Sequence, residues 1–274
     1  LKESAEERMS YTDINMSLFY TLLPAAVFMS FFLGALAVFG GRVLIYGMPK
    51  TARVEERGNN MFMGKFLMEY WYWVWKPVER TFIAIKLTPD AVTLLGTLLA
   101  MAAGVAFAFG YFVWGGWLML FGGTFDILDG AIARALKMQS KAGEFLDSTL
   151  DRYAELFTLA GLLYYYAGHP FSVVVVLAII GSTMVSYTRA KAEGVGVQAK
   201  MGNMQRPERV FYIGLASAMS PIVANVYEPG VAKPMNYVAM IAITIVAIFS
   251  NATALRRLWF TYSTLKKQGK NNNS

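Results

Sequence analysis

Four aspartates carry the strongest chemical signal in this chain. They fall in two short runs, Asp126-Ile-Leu-Asp129-Gly130-Ala-Ile-Ala133-Arg134 and Gly143-Glu-Phe-Leu-Asp147-Ser-Thr-Leu-Asp151-Arg152. On helices, spacings of three and four place Asp126 with Asp129 and Asp147 with Asp151, each pair on one face. The two runs are joined by the short polar segment 136–142, which predicts antiparallel neighbouring helices with both pairs at one end. Converging carboxylates repel unless a cation neutralises them. With no Cys in the chain and a single His, His169, the donor set is oxygen only, which points to Mg²⁺ or Mn²⁺ rather than zinc. Such ions are commonly shared between carboxylates and substrate phosphates, so the cluster predicts a phosphate-containing substrate. His169, in the break Ala-Gly-His-Pro, reads as a turn residue.

The elements that position these acids are membrane helices. The chain has 274 residues, 56% of them hydrophobic and only 16% charged, with a mean hydropathy of +0.41. That apolar content exceeds the needs of one soluble core. Crossing the hydrocarbon takes about 20 apolar residues, and such runs occur near 17–40, 91–110, 114–134, 146–168, 170–190, 208–226 and 235–258. The first is too long for a signal-peptide core and is read as a retained span. The predicted fold is an all-α integral membrane protein. Residues 1–60 form an N-terminal span and basic linker, 61–88 an amphipathic helix lying in the interface, 89–260 a six-helix catalytic core, and 261–274 a basic polar tail. Tryptophans and tyrosines mixed with charges across 61–88 suit an interfacial helix better than an eighth span.

The net charge of +7 lies in short segments between apolar runs, which argues for membrane topology and a phosphate site and against nucleic acid. The cations of the linker, of the segment 189–209 and of the tail fall on one side if there are seven spans. This predicts a multi-pass cell-membrane protein with its N-terminus outside and its C-terminus and active site facing the cytoplasm.

The pattern Asp-x-x-Asp-Gly-x-x-Ala-Arg, then Gly-x-x-x-Asp-x-x-x-Asp, resembles the signature of the CDP-alcohol phosphotransferase family, and every signature position is filled. The resemblance spans roughly residues 61–260 and leaves the first span outside the usual six-helix core. It implies that Asp126, Asp129 and Asp147 ligate metal, with Asp151 sharing a second metal or acting as general base. It further implies that Gly130, Ala133, Arg134 and Gly143 receive a CDP-lipid, either CDP-diacylglycerol or an ether-lipid equivalent, and that the enzyme is a homodimer. Small residues such as Gly161, Gly181 and Ser182 could line interfaces. The segment Thr88-Pro89-Asp90 resembles the family's entry to its first core helix with Asp in place of the usual Asn, and either residue can cap a helix.

A second basic group, Tyr187-Thr-Arg189-Ala-Lys191-Ala-Glu193 followed by Arg206-Pro-Glu-Arg209, can receive an anion at a helix N-terminus. It is similar to the matching segment of prokaryotic phosphatidylinositol phosphate synthases. Arg189, Lys191, Arg206 and Arg209 are therefore candidates for the phosphate of a phosphorylated acceptor, inositol phosphate first and glycerol 3-phosphate as its nearest competitor. A cation transporter is the reading from another class, since intramembrane acids also mark ion pathways. The acids bunch near one end instead of lying along several spans, which favours the enzyme.

Overall fold

The computed structural model describes residues 11–51, 54, 64–199, 201–202, 204–229, 231 and 233–271, with the side chains of 11–22 and 270–271 excepted. Eight helices and no strands occur among the described residues: α1 (Tyr11–Tyr46), α2 (Lys65–Ala84), α3 (Pro89–Ala108), α4 (Phe112–Ala135), α5 (Lys141–Tyr165), α6 (Ser172–Gly194), α7 (Arg206–Tyr227) and α8 (Tyr237–Asn271). All seven expected spans emerge as helices. Five segments are long and apolar enough to cross a bilayer: Leu23–Tyr46, Pro89–Ala108, Ser172–Gly194, Arg206–Tyr227 and Tyr237–Gly269. α4 and α5, whose acids dilute their apolar runs, fall outside that set. The protein is a multi-pass membrane protein.

α3 to α8 pack as a ring in the order α5, α3, α4, α7, α8, α6 and back to α5. Two seams show how tightly. A Cβ on Gly161 of α5 would land on the carbonyl of Gly104 in α3, and one on Gly181 of α6 would sit 2.9 Å from the Ser250 Cβ of α8. These small residues therefore serve seams inside the subunit, where close backbone approach is what holds membrane helices together. An apolar core built from Phe107, Phe112, Leu159, Leu162, Ile213 and Ile243 fills one half of the ring. The other half, where α4 to α7 face each other, holds the acids and the basic group.

One expectation is corrected. α4 and α5 follow each other in sequence but are not the packed neighbours predicted: both lie along α3, and they make little backbone contact with one another. The space between them is the site, and two acid-bearing faces have no apolar surface with which to close it. The first span also runs further than expected, to Tyr46. His169 lies in the turn between α5 and α6, where its Nδ1 accepts from Phe171 N at 3.1 Å. Lys76 and Glu79 pair at 2.7 Å on α2, which is not among the spans. Residues 1–10 at the N-terminus, and residues 52, 53 and 55–60 of the linker, lie outside the described residues.

Candidate active site

α5 starts where Ser140 caps it, its Oγ accepting from Gly143 N at 3.0 Å. That start fixes which face α5 turns inward: Asp147, Asp151 and Glu155 recur every four residues along it. α4 supplies Asp126 and Asp129 from the opposite side. Carboxylate oxygens of Asp126, Asp129 and Asp147 all lie within 4.8 Å of one another. Asp129 is nearly buried and accepts from Thr93 Oγ1 at 2.6 Å, which orients it. Asp147 Oδ1 is buried with no donor to it. Three converging carboxylates, one with an unpartnered buried oxygen, fit a hard divalent cation.

Asp151 stands apart from this trio. The Arg206 guanidinium, at the start of α7, bridges it to Asp126, with Nη1 at 2.7 Å from Asp151 Oδ1 and 2.9 Å from Asp126 Oδ2. Arg206 thus neutralises the two acids nearest the basic group.

Three spaces meet at the acids. The first, between α3, α4 and α5, is lined by Gly130, Ala133, Arg134 and Gly143 together with Asp129 and Asp147. All four residues expected to receive the CDP-lipid therefore share one cleft. A Cβ on Gly143 would lie 3.2 Å from Ser140 Oγ and 3.5 Å from Asp90 Oδ1, so any side chain there would narrow it. The expected cap at Asp90 moves two residues back. Thr88 is the cap, accepting from Ala91 N at 3.4 Å, and Asp90 lies in the first turn of α3 and lines the cleft.

The second space, between α5, α6 and α7, is lined by Asp126, Asp147, Asp151, Arg189, Arg206 and Arg209. Lys191 is exposed and is not among the lining residues. The cations differ in what already holds them. Arg189 pairs with Glu193 at 2.9 Å with both side chains half-exposed. Arg209 is 1% exposed and forks onto Glu155, with Nε and Nη2 at 2.5 and 2.8 Å, while Nη1 donates to the Met204 carbonyl at 3.0 Å. A guanidinium with these contacts made is a fixed wall of the cleft.

Sequence reasoning missed Glu155, Arg152, Arg257 and the orienting role of Thr93. Glu155 had a signal, the i+4 continuation of Asp147 and Asp151. Arg257 had none. It lies 106 residues beyond Asp151 in a run read as topology, yet it lines this cleft and grips the carbonyls of Val185 at 2.7 Å and Met201 at 2.8 Å.

The third space is apolar. α2, α4 and α7 enclose it with Met68, Trp71, Leu120, Val210 and Phe211, and it ends at Asp126 and Arg206.

Residues 86–263 match the model of the CDP-alcohol phosphatidyltransferase family. The chain is 29% identical to the phosphatidylinositol phosphate synthase of Mycobacterium tuberculosis, over 67% of this chain and 84% of that protein. It is 32% identical to the archaetidylinositol phosphate synthase of Methanothermobacter thermautotrophicus, over 70% of this chain and 94% of that one. The crystal structure of the Mycobacterium tuberculosis enzyme with CDP-DAG bound superposes with a TM-score of 0.59 at 29% identity, covering 68% of this chain and 92% of that one. A structure of the same enzyme in complex with manganese and citrate superposes equally well, with a TM-score of 0.59.

Proposed function

The chain belongs to the CDP-alcohol phosphatidyltransferase family, and on that premise we propose that it transfers a phosphatidyl or archaetidyl group from a CDP-linked lipid to inositol phosphate, releasing CMP. The observation that carries this reading is the meeting of three chemically different spaces at one acid cluster: a polar cleft beside the signature glycines, a basic cleft, and an apolar pocket. A donor with a nucleotide, a diphosphate and hydrocarbon chains needs the first and third. A phosphorylated acceptor needs the second.

Asp126, Asp129 and Asp147 are the residues that would hold the metal, Mg²⁺ in this reading. When bound, a divalent ion neutralises the donor diphosphate and the departing CMP. Gly130, Ala133, Arg134 and Gly143 receive the nucleotide. The acceptor phosphate docks on Arg206 and Arg189, with Arg209 held rigid by Glu155 as the cleft wall. In docking, the phosphate competes with Asp126 and Asp151 for Arg206. Asp151, relieved of that partner, takes the proton of the attacking hydroxyl. The hydroxyl oxygen forms a bond to the lipid-side phosphorus as the bond from that phosphorus to the CMP oxygen breaks. Binding thus restores the base as the nucleophile arrives.

The distribution of cations supports a C-terminus and active-site opening on the cytoplasmic face of the cell membrane, with the N-terminus outside. A homodimer is the assembly that the family resemblance implies. The decisive experiment is CMP release by the purified protein with CDP-diacylglycerol or its ether-lipid equivalent and Mg²⁺, with inositol phosphate, glycerol 3-phosphate, serine and inositol offered in parallel. Release with inositol phosphate alone is expected. Release with another acceptor replaces the substrate, and none with any acceptor sinks the enzymatic reading.

A further inference from the structure

α1 lies outside the residues matched by the family, yet it packs directly behind the wall of the apolar pocket. One stripe of it, Ala25, Phe28, Met29 and Phe32, joins α4 and α7 in a single apolar cluster that includes Leu120 and Phe211 of the pocket lining. The Phe32 ring stacks between two indoles, Trp71 at 5.4 Å and 11° and Trp117 at 5.3 Å and 6°. Its backbone carbonyl accepts from the Tyr70 hydroxyl at 2.5 Å. Trp71 is held on its other edge by Thr124, its Nε1 donating to Oγ1 at 3.1 Å, and both residues line the pocket. The chain just beyond α1 is pinned to α2 as well: Thr51 N and Oγ1 each donate to the buried Glu69 carboxylate at 2.6 Å, two residues before Trp71.

An indole stacked on one face against a ring that is itself held from behind, and hydrogen-bonded at its edge, is a rigid wall. An apolar slot open to the bilayer would accept any hydrocarbon chain, whereas a slot with a rigid wall distinguishes chains by width. We propose that Phe32 is a positioning residue for the donor: by holding Trp71 in place, α1 sets the width of the pocket and selects which hydrocarbon chains the CDP-lipid carries. The occupant is one chain of the donor, because the pocket ends at Asp126 and Arg206, where the reacting phosphorus must lie. This rests on the function proposed above and adds a specificity device within it.

The test compares CDP-lipids bearing straight, methyl-branched and very short chains. In Phe32→Ala, the kcat/KM ratio between straight and branched donors should move toward unity by about tenfold, the scale at which a pocket discriminates a small apolar difference. The change should fall in donor KM rather than kcat. Phe32→Tyr, which keeps the planar ring, should restore the ratio, and Leu33→Ala on the outward face should leave it alone. A donor whose chains are too short to reach Trp71 should be used equally well by all variants. A second readout needs no turnover: a donor brominated in mid-chain should quench tryptophan fluorescence in the wild-type protein and much less in Trp71→Phe. That arm also decides the matter should Phe32→Ala fail to fold. An unchanged donor ratio in Phe32→Ala, a uniform loss for every donor, or equal quenching with and without Trp71 would overturn the proposal. Wild-type protein that turns over no CDP-lipid at all would instead overturn the function beneath it.

Discussion

The two ends of α5 treat buried polar groups in opposite ways. At its C-terminal end, Tyr165 and Tyr166 donate their hydroxyls to the carbonyls of Pro234 and Met235, at 2.5 and 2.8 Å. There Glu228 also accepts from Met235 N at 3.0 Å, and the Lys233 ammonium sits 5.0 Å above the Tyr165 ring. Donors meet acceptors and a cation meets a π face, which clasps α8 to α5. At its N-terminal end, like charges are pressed together, and Asp147 keeps an unpartnered oxygen. A polar group placed for stability is satisfied by its own chain. Carboxylates pressed together with too little counter-charge are instead held ready for a cation.

Substitution at each end should separate the two roles. Asp147→Asn should reduce turnover by at least about a thousandfold, which is roughly 4 kcal/mol of transition-state stabilisation, while its melting temperature in EDTA stays level or rises, because one repelling charge has gone. A marked fall in that temperature would mean that the acids stabilise the fold as the tyrosines do. Glu155→Gln sits between the roles and should be the most damaging to stability. It leaves the Arg209 guanidinium buried without its counter-charge, a loss of about 3–5 kcal/mol, to be read by thermal unfolding in detergent.

Arg206→Gln should raise the acceptor KM about 10- to 100-fold, or roughly 1.4–2.8 kcal/mol, and leave the donor KM close to its original value. An equal rise in both would remove Arg206 from the acceptor side. Tyr166→Phe, which deletes one hydroxyl from the clasp, should lower stability by about 1 kcal/mol with kcat unchanged. Lys191→Ala should be the mildest, within about 0.5 kcal/mol of stability and without effect on acceptor KM, since Lys191 is outside the cleft. A clear KM effect there would mean that the basic cleft extends further than its present lining.

This ordering also indicates what a sequence can reveal. The acids and glycines were legible because catalysis ties them to short, fixed spacings on two helices joined by a short turn. The seven long apolar helices were legible because hydrocarbon thickness sets their length. Packing was not. Nothing in the runs around Asp126 and Asp147 indicated that α3 would lie against both helices and leave the acids facing across a gap. Of four cations assigned alike to the acceptor phosphate from the resemblance, the structure separates Arg206 on the acids, Arg209 on Glu155, Arg189 on Glu193 and Lys191 outside. Which carboxylate a guanidinium meets depends on helix rotation and crossing, which charge patterning does not encode. Trp71 and Phe32 were read as interface and span residues, and only their contact gives them a further meaning.

Arg257, the buried arginine of α8, sets an order of events during synthesis. It is made 106 residues after Asp151, but it ties the C-terminal half of α6 to the segment before α7 and completes the wall of the basic cleft. All four aspartates are in the membrane long before that helix is made. A nascent chain halted before α8 would therefore carry the whole signature and still lack the finished basic cleft, so lipid synthesis waits until translation has passed Arg257.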